Sequence, residues 1–337
     1  MKKRKILSLC LAVLLLVMTG CGNKEEGGTS GILSGNTDGV QAEGRPAESN
    51  PNVVENAKGR FLESDVTMPE TVDGVKAMER LEDGRIACFD GFSGMYISED
   101  NGESFSMKQI AVMDEILKNQ YYVSGAAIGK DGSLLIICYK EDGNLVIYVD
   151  KDGNEVSRFK EEQYMFTYSF LSDKRLVGGS SDGVYEINPE NGSVTKICDS
   201  KASVQYIKQV GDYLYLAGDT GIECYNLAAK SFEKDDVLEQ FIKADLNYGN
   251  ADSYPILICE GDTEDSMYVL SQQGLFRHVI KGSIMEEVIK GSLASMGSPA
   301  YYLSGMAFLD KENLLICYNG NLMKAYKYNP DISAIPE

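Results

Sequence analysis

Tyr122-Val123-Ser124-Gly125-Ala126-Ala127-Ile128, Lys130-Asp131-Gly132, Leu134-Leu135-Ile136-Ile137-Cys138-Tyr139, Glu141-Asp142-Gly143-Asn144, Leu145-Val146-Ile147-Tyr148-Val149, Asp152-Gly153-Asn154 and Glu155-Val156-Ser157-Arg158-Phe159 follow one another along the chain. The apolar runs are rich in β-branched and aromatic residues, which suit a pleated, half-buried strand. The Asp-Gly and Gly-Asn pairs between them supply the positive φ that tight hairpins demand. The stretch therefore reads as four strands joined by three hairpin turns, one antiparallel sheet.

Further copies begin near Gly74, Tyr168, Tyr206, Tyr254 and Tyr302, at a period of about 40 to 50 residues, the spacing of propeller blades. A lone four-stranded sheet cannot cover both its faces, whereas sheets stacked around an axis can. The expectation is an all-β protein, a β-propeller over residues 59–337 with six four-stranded antiparallel blades. The count becomes seven if Glu103 to Tyr121 hides a degenerate blade. That stretch reads better as a helical insertion, because Met113, Ile116 and Leu117 fall at helical spacing. The last copy holds only three strands, so the strand-like segment Gly59 to Thr67 is expected to close the ring as the outer strand of the last blade.

Ahead of the repeats, Met1-Lys2-Lys3-Arg4-Lys5 places positive charge before the apolar run Ile6 to Met18, the layout of a secretory signal. The run is short for a spanning helix, which needs about 20 apolar residues. Small residues then lead to a thiol that can accept a lipid. Met18-Thr19-Gly20-Cys21 resembles the lipobox of bacterial lipoproteins, with Met18 where the family prefers Leu. The resemblance implies cleavage before Cys21, lipidation of that residue, and a chain held at the extracytoplasmic face of a cell membrane. Residues 1–20 are then a signal peptide. Residues 21–58, rich in Gly, Ser, Asn, Pro and Glu, bury too little to offset their ordering entropy and read as a disordered tether.

Removing the signal reduces 32 basic residues to 28 against 51 acidic ones, a formal charge of −23. That balance excludes nucleic acid as a partner and argues against docking on anionic headgroups through the folded part. Cys138, Cys259 and Cys317 sit in similar apolar stretches and are read as equivalents in successive blades. On that reading they lie too far apart to bridge and act as small buried hydrophobes. There is no Cys-x-x-Cys pair and His278 is the only histidine, so no zinc or other metal site and no cofactor is expected. His278 itself reads as an exposed strand residue. The 20 tyrosines, with no tryptophan, could line a sugar-binding mouth, although most recur at strand positions where they pack.

Ser98-Glu99-Asp100-Asn101-Gly102-Glu103-Ser104-Phe105 resembles the Asp-box of sialidase-type propellers, with Ser104 for Thr and Phe105 for Trp. The resemblance implies a structural role for Ser98, Asp100, Gly102 and Phe105: side chains bond the hairpin backbone and the aromatic packs beneath the sheet. Sialidases bind a carboxylate with an arginine triad, whereas the mature arginines here are few and no Arg-Ile-Pro signature precedes the propeller. Asp150 to Glu161 mimics a calcium loop, yet the glycine stands at the fourth position and Glu155 at the sixth, so a hairpin turn is expected. No catalytic residue is assigned.

From Cys21 onward the chain is similar to the N-terminal half of large clostridial-type lipoproteins, in which a WD40-like or Asp-box propeller precedes an extracellular solute-binding domain. That implies a non-enzymatic binding module tied to ABC-type solute uptake, whose partner is a solute-binding protein, a permease or a glycan. The alternatives are a carbohydrate-active hydrolase or lyase of sialidase type, and a truncated structural spacer. The channel mouth separates them: clustered carboxylates and arginines favour chemistry, whereas a mixed polar or aromatic ring favours binding.

Overall fold

The computed structural model describes residues 53–55, 60–64, 75–139, 143–218, 220–246, 257–261, 263–271, 274–290, 303–308, 313–318 and 322–329. Cys21, the signal, and all of the tether except Val53–Glu55 lie outside them. Strands β1 (Val53–Glu55) and β2 (Arg60–Ser64) come first. The first sheet is β3 (Ala77–Arg80), β4 (Ile86–Phe89), β5 (Met95–Ser98) and β6 (Ser106–Lys108), followed by helix α1 (Val112–Lys118). The second is β7 (Tyr122–Ile128), β8 (Leu134–Tyr139), β9 (Leu145–Val149) and β10 (Glu155–Lys160). The third is β11 (Thr167–Phe170), β12 (Leu176–Ser180), β13 (Gly183–Ile187) and β14 (Val194–Asp199). The fourth is β15 (Val204–Val210), β16 (Tyr213–Gly218), β17 (Gly221–Asn226) and β18 (Ser231–Glu233), with helix α2 (Asp236–Leu246) after it. Then come β19 (Leu257–Glu260), β20 (Ser266–Ser271), β21 (Gly274–Val279) and β22 (Met285–Lys290), and last β23 (Leu303–Phe308), β24 (Asn313–Tyr318) and β25 (Leu322–Asn329).

Hairpin register follows the turn chemistry. In the second sheet Ile128 faces Leu134 across the Asp-Gly turn, where Gly132 takes φ +89°, and Gly153 of the next Asp-Gly pair takes +94°. The first strand of each sheet lies beside the first strand of the next, β3, β7, β11, β15, β19 and β23 in order, and β23 returns to β3. The architecture is thus an all-β propeller. Arg60–Ser64 pairs antiparallel with β25, Arg60 opposite Asn329, so the N-terminal segment supplies the outer strand of the last sheet.

Five of the sheets are four-stranded antiparallel blades. The remaining sheet, β19 to β22, carries a fifth strand: β1 pairs in parallel with β22, Val53 opposite Met285. The expected six four-stranded blades, or seven, are corrected to five. An outer edge exposes unpaired N–H and C=O groups, and β1 pairs along the outer edge of the β19 to β22 sheet while β2 pairs along that of the last. Within the expected tether, Val53–Glu55 forms strand β1. Glu103 to Tyr121 forms a turn, β6 and α1, with Val112, Met113 and Ile116 buried and Leu117 left exposed.

Burial falls from the axis outward. Leu134 to Cys138 on β8 are buried, whereas β10 exposes Glu155, Val156, Arg158 and Lys160 wholly or in part. The core is a set of layers between neighbouring sheets. Phe89, Met95, Leu134 and Ile136 fill the first with α1 above them. Leu135, Val146, Leu176 and Ile187 fill the second, and Val177, Val184, Leu214 and Leu216 the third. Tyr215, Ile258, Val269 and Phe276 pack beneath Leu238, Phe241 and Ile242 of α2 in the fourth.

Cys88, Cys138, Cys198, Cys224 and Cys259 are buried and are not in disulfides. Cys259 lies on β19, a first strand, while Cys138 lies on β8, a second strand. Cys317 lies on β24, a second strand like β8, so those two stretches are equivalents as expected and the Cys259 stretch is not; both strand positions are buried and draw on the same residues. Burial pushes the Cys198 thiol from 9.0 up to about 11 and the Cys224 thiol up to about 12. An unfolded thiol gives up its proton near 9, so this stabilisation is whole below that pH and is lost as pH rises towards 11 or 12. The urea midpoint should hold steady at neutral pH and fall above pH ~9, by at most about 1.4 kcal/mol per pH unit per thiol. Cys198→Ala should flatten the fall; an equally steep decline in that variant would refute the assignment.

Candidate functional site

The path of the chain gives the ring two unlike ends. Within each sheet the first-to-second and third-to-fourth strand turns lie at one end, here the hairpin end. The second-to-third turns and the crossings to the next sheet lie at the other, the crossover end.

At the hairpin end the mouth is lined by Glu79, Lys130, Ser172, Lys208, Gln209 and Glu260, around a recess of about 180 Å³. Glu79 on β3 and Lys208 on β15 come from opposite sides of the ring and pair at 2.9 Å. Lys130, just after β7, pairs with Glu260 on β19, again across the axis. Gln209 accepts the Ser172 amide at 2.8 Å and donates to its hydroxyl at 3.0 Å, joining neighbouring sheets. Burial works against the Lys208 ammonium, but the Glu79 carboxylate outweighs it and holds the group above the usual lysine range. Beside it, burial pushes the Tyr206 phenol up to about 12. Its hydroxyl donates to the Ile258 carbonyl at 2.8 Å and accepts the Ile258 amide at 3.1 Å. The charges here neutralise one another in pairs.

At the crossover end the chemistry is aromatic. Phe92 in the β4–β5 turn, Tyr122 at the start of β7, Tyr139 at the end of β8, and Tyr164 and Phe166 between β10 and β11 are exposed by 50, 64, 59, 64 and 44%. All five stand at this end, over the first three sheets. The Lys76 ammonium lies 5.4 Å from the centre of the Tyr122 ring, and Tyr164 meets Phe166 edge to face at 5.2 Å. A side chain at Gly91 would strike Lys76 and Val123, so the Phe92 turn sits against the start of β7. Sequence alone shows these tyrosines as strand residues. Their exposure depends on standing at strand ends, a matter of one or two positions.

The turn from Ser98 to Ser104 joins β5 to β6 at the hairpin end, away from the aromatic face. Ser98 Oγ donates to Asp100 Oδ1 and accepts the Gly102 amide, each at 2.8 Å. Asp100 accepts the Ser104 amide at 2.8 Å and its hydroxyl as well. The two Ser104 bonds, helped by Ser98, hold the Asp100 carboxyl below its usual range. Phe105 is half-buried. In the β9–β10 turn Asp150 Oδ1 accepts the amides of Asp152 and Asn154 at 2.9 and 2.8 Å. Among the described residues no group of three or more His, Cys, Asp or Glu is placed to hold a metal ion.

His278 is not an exposed strand residue. It is wholly buried, with Nε2 2.9 Å from Asp235 Oδ1 and Nδ1 2.9 Å from the Ile284 carbonyl. Helix α2 and its lead-in cover β21, placing the strand beneath a lid that local sequence gives no sign of. Both ring nitrogens are engaged, so the histidine has no free atom for acid–base work.

No protein-family model matches the chain, and no curated protein matches it. Among solved structures, a streptogramin B lyase is 10% identical with a TM-score of 0.51, over 82% of this chain and 100% of that one. A structure of YCF48 bound to D1 peptide is 11% identical with a TM-score of 0.49, over 84% and 99%. Virginiamycin B lyase from Staphylococcus aureus is 11% identical with a TM-score of 0.49, over 80% and 99%. At such identities the likeness carries no activity across; what the similarity to the streptogramin B lyase shows is the fold, a β-propeller.

Proposed function

We propose that this chain is a non-enzymatic recognition module that binds a protein partner through the crossover end of its propeller. The observation that carries the reading is the gathering of Phe92, Tyr122, Tyr139, Tyr164 and Phe166 at that end. Exposed aromatic clusters mark interaction surfaces, and Tyr and Phe supply large contact area for little lost side-chain freedom. Spread over three sheets, they suit a macromolecular surface better than a small ligand. Acid–base hydrolysis needs a carboxylate held ready to exchange its proton, whereas Glu79 and Glu260 each face a lysine across the axis. That arrangement supports binding over chemistry.

On this reading a lipid on Cys21 holds the chain at the extracytoplasmic face of the membrane. The Ser98 to Phe105 turn is an Asp-box with a structural role, and the partner is a solute-binding protein or permease of an ABC-type uptake system. The test is capture of that partner from detergent-extracted membranes, with Tyr122→Ser, Tyr164→Ser and Phe166→Ser combined as the comparison. The triple variant should melt as the parent does and lose capture on the order of tenfold or more. Undiminished capture by a folded triple variant would refute the assignment.

A further inference from the structure

A second concavity opens at the crossover end of the fourth sheet, away from the aromatic face. It is a cleft of about 550 Å³ between the link from β14 to β15, the β16–β17 hairpin and the start of α2, within the size range of small-ligand sites. Phe232 on β18 forms one wall, 44% exposed, and Tyr225 braces its ring edge to face at 5.1 Å. Glu223 enters from β17. Its Oε2 is fixed by the Ser200 hydroxyl at 2.6 Å and the Lys201 amide at 3.2 Å. Ser203, Thr220, Asp199, Glu233, Glu239, Lys201 and Lys234 add to the polar lining; of these, Asp199 is paired with Lys196 and Glu233 with Lys281.

The contrast with the hairpin mouth is in how polar groups are used. There every charge at the axis faces an opposite charge. In the cleft, no bond to another described residue is made by Glu223 Oε1, by the Glu239 carboxylate or by the ammonium groups of Lys201 and Lys234. Such a lining offers acceptors and donors together, beside an apolar ring. A ligand of one net charge meets repulsion from one half of it. A neutral polyol does not, because each hydroxyl donates to a carboxylate and accepts from a lysine while its C–H face lies on the aromatic ring.

We propose that this cleft binds a neutral carbohydrate of about disaccharide size, at a site separate from the aromatic face. The test is saturation-transfer NMR and calorimetry on the whole chain with cellobiose, maltose and N,N′-diacetylchitobiose, and with glutamate and spermidine as charged comparators. At least one disaccharide should bind. Phe232→Ser should weaken it by roughly tenfold, the worth of an aromatic contact, and Glu223→Gln should also weaken it; should Phe232→Ser fail to fold, Lys234→Ala at an exposed position is read in its place. The combined Tyr122, Tyr164 and Phe166 variant should bind the sugar as the parent does, and Phe232→Ser should still capture the protein partner. That crossed pattern keeps failure of this site distinct from failure of the recognition face. No disaccharide binding, binding indifferent to the cleft substitutions, or preference for glutamate or spermidine would overturn the proposal.

Discussion

Replacing Asp235 by alanine is expected to lower the unfolding free energy by roughly 3 kcal/mol, the cost of leaving buried hydrogen-bonding groups without their partner. Asp235 and His278 have side chains 2% and 0% exposed. His278 faces a carboxylate at one ring nitrogen and a backbone carbonyl at the other. Both ring nitrogens are thus held by hydrogen bonds in a site closed to water. Without Asp235 one of them stays buried with no partner. The same carboxylate accepts the Leu238 amide at 3.3 Å, capping α2, and the Lys281 amide at 3.0 Å, so the helix lid over the fourth core layer loosens as well. Urea unfolding of Asp235→Ala, His278→Phe and the double variant Asp235→Leu with His278→Phe measures the coupling. The double variant should lose clearly less than Asp235→Ala, since apolar replacement removes the stranded imidazole. A loss below about 1 kcal/mol in Asp235→Ala would contradict a buried, mutually dependent pair.

How much of this was legible in the sequence follows from the range of each interaction. Turn chemistry is local, so Lys130-Asp131-Gly132 and its counterparts mark hairpins, and the regular spacing of copies marks a ring of sheets. The missing strand of the last copy points to Arg60–Ser64, and helical spacing points to α1. What stayed hidden is what depends on distant parts of the chain. Glu79 finds Lys208, and Lys130 finds Glu260, only because opposite first strands meet at the axis; neither pair leaves a local pattern. His278 sits in a stretch that looks like any edge strand until α2 is laid over it. Val53–Glu55 is too short to be recognised as a strand, and its edge is defined by a neighbouring sheet. The aromatic face was half legible: tyrosines at strand positions were visible, but which of them end a strand is set by the register of the whole sheet.

Glu79→Ala should cost about 3 kcal/mol, because Lys208 would lose its bonded counter-ion near the axis and keep only the field of Glu260, itself paired with Lys130. The side chains are 15% and 20% exposed for Lys208 and Glu79, so water relieves part of the penalty. The pair spans opposite sides of the ring and stands beside a second pair of the same kind, Lys130 with Glu260. Together the two pairs cross the axis at the hairpin mouth. Two roles can be told apart by calorimetric melting and urea unfolding. If the pair only fills the mouth, Glu79→Leu with Lys208→Met should be as stable as the parent or more so, since apolar groups of similar volume avoid the desolvation of two charges. If the pair instead holds opposite sheets in register, that double variant should also lose stability, and the Tyr206 bond to Ile258 next to it should exchange its amide proton faster. Burial of this degree favours the first outcome, with the single variant Glu79→Ala well below both the parent and the double variant.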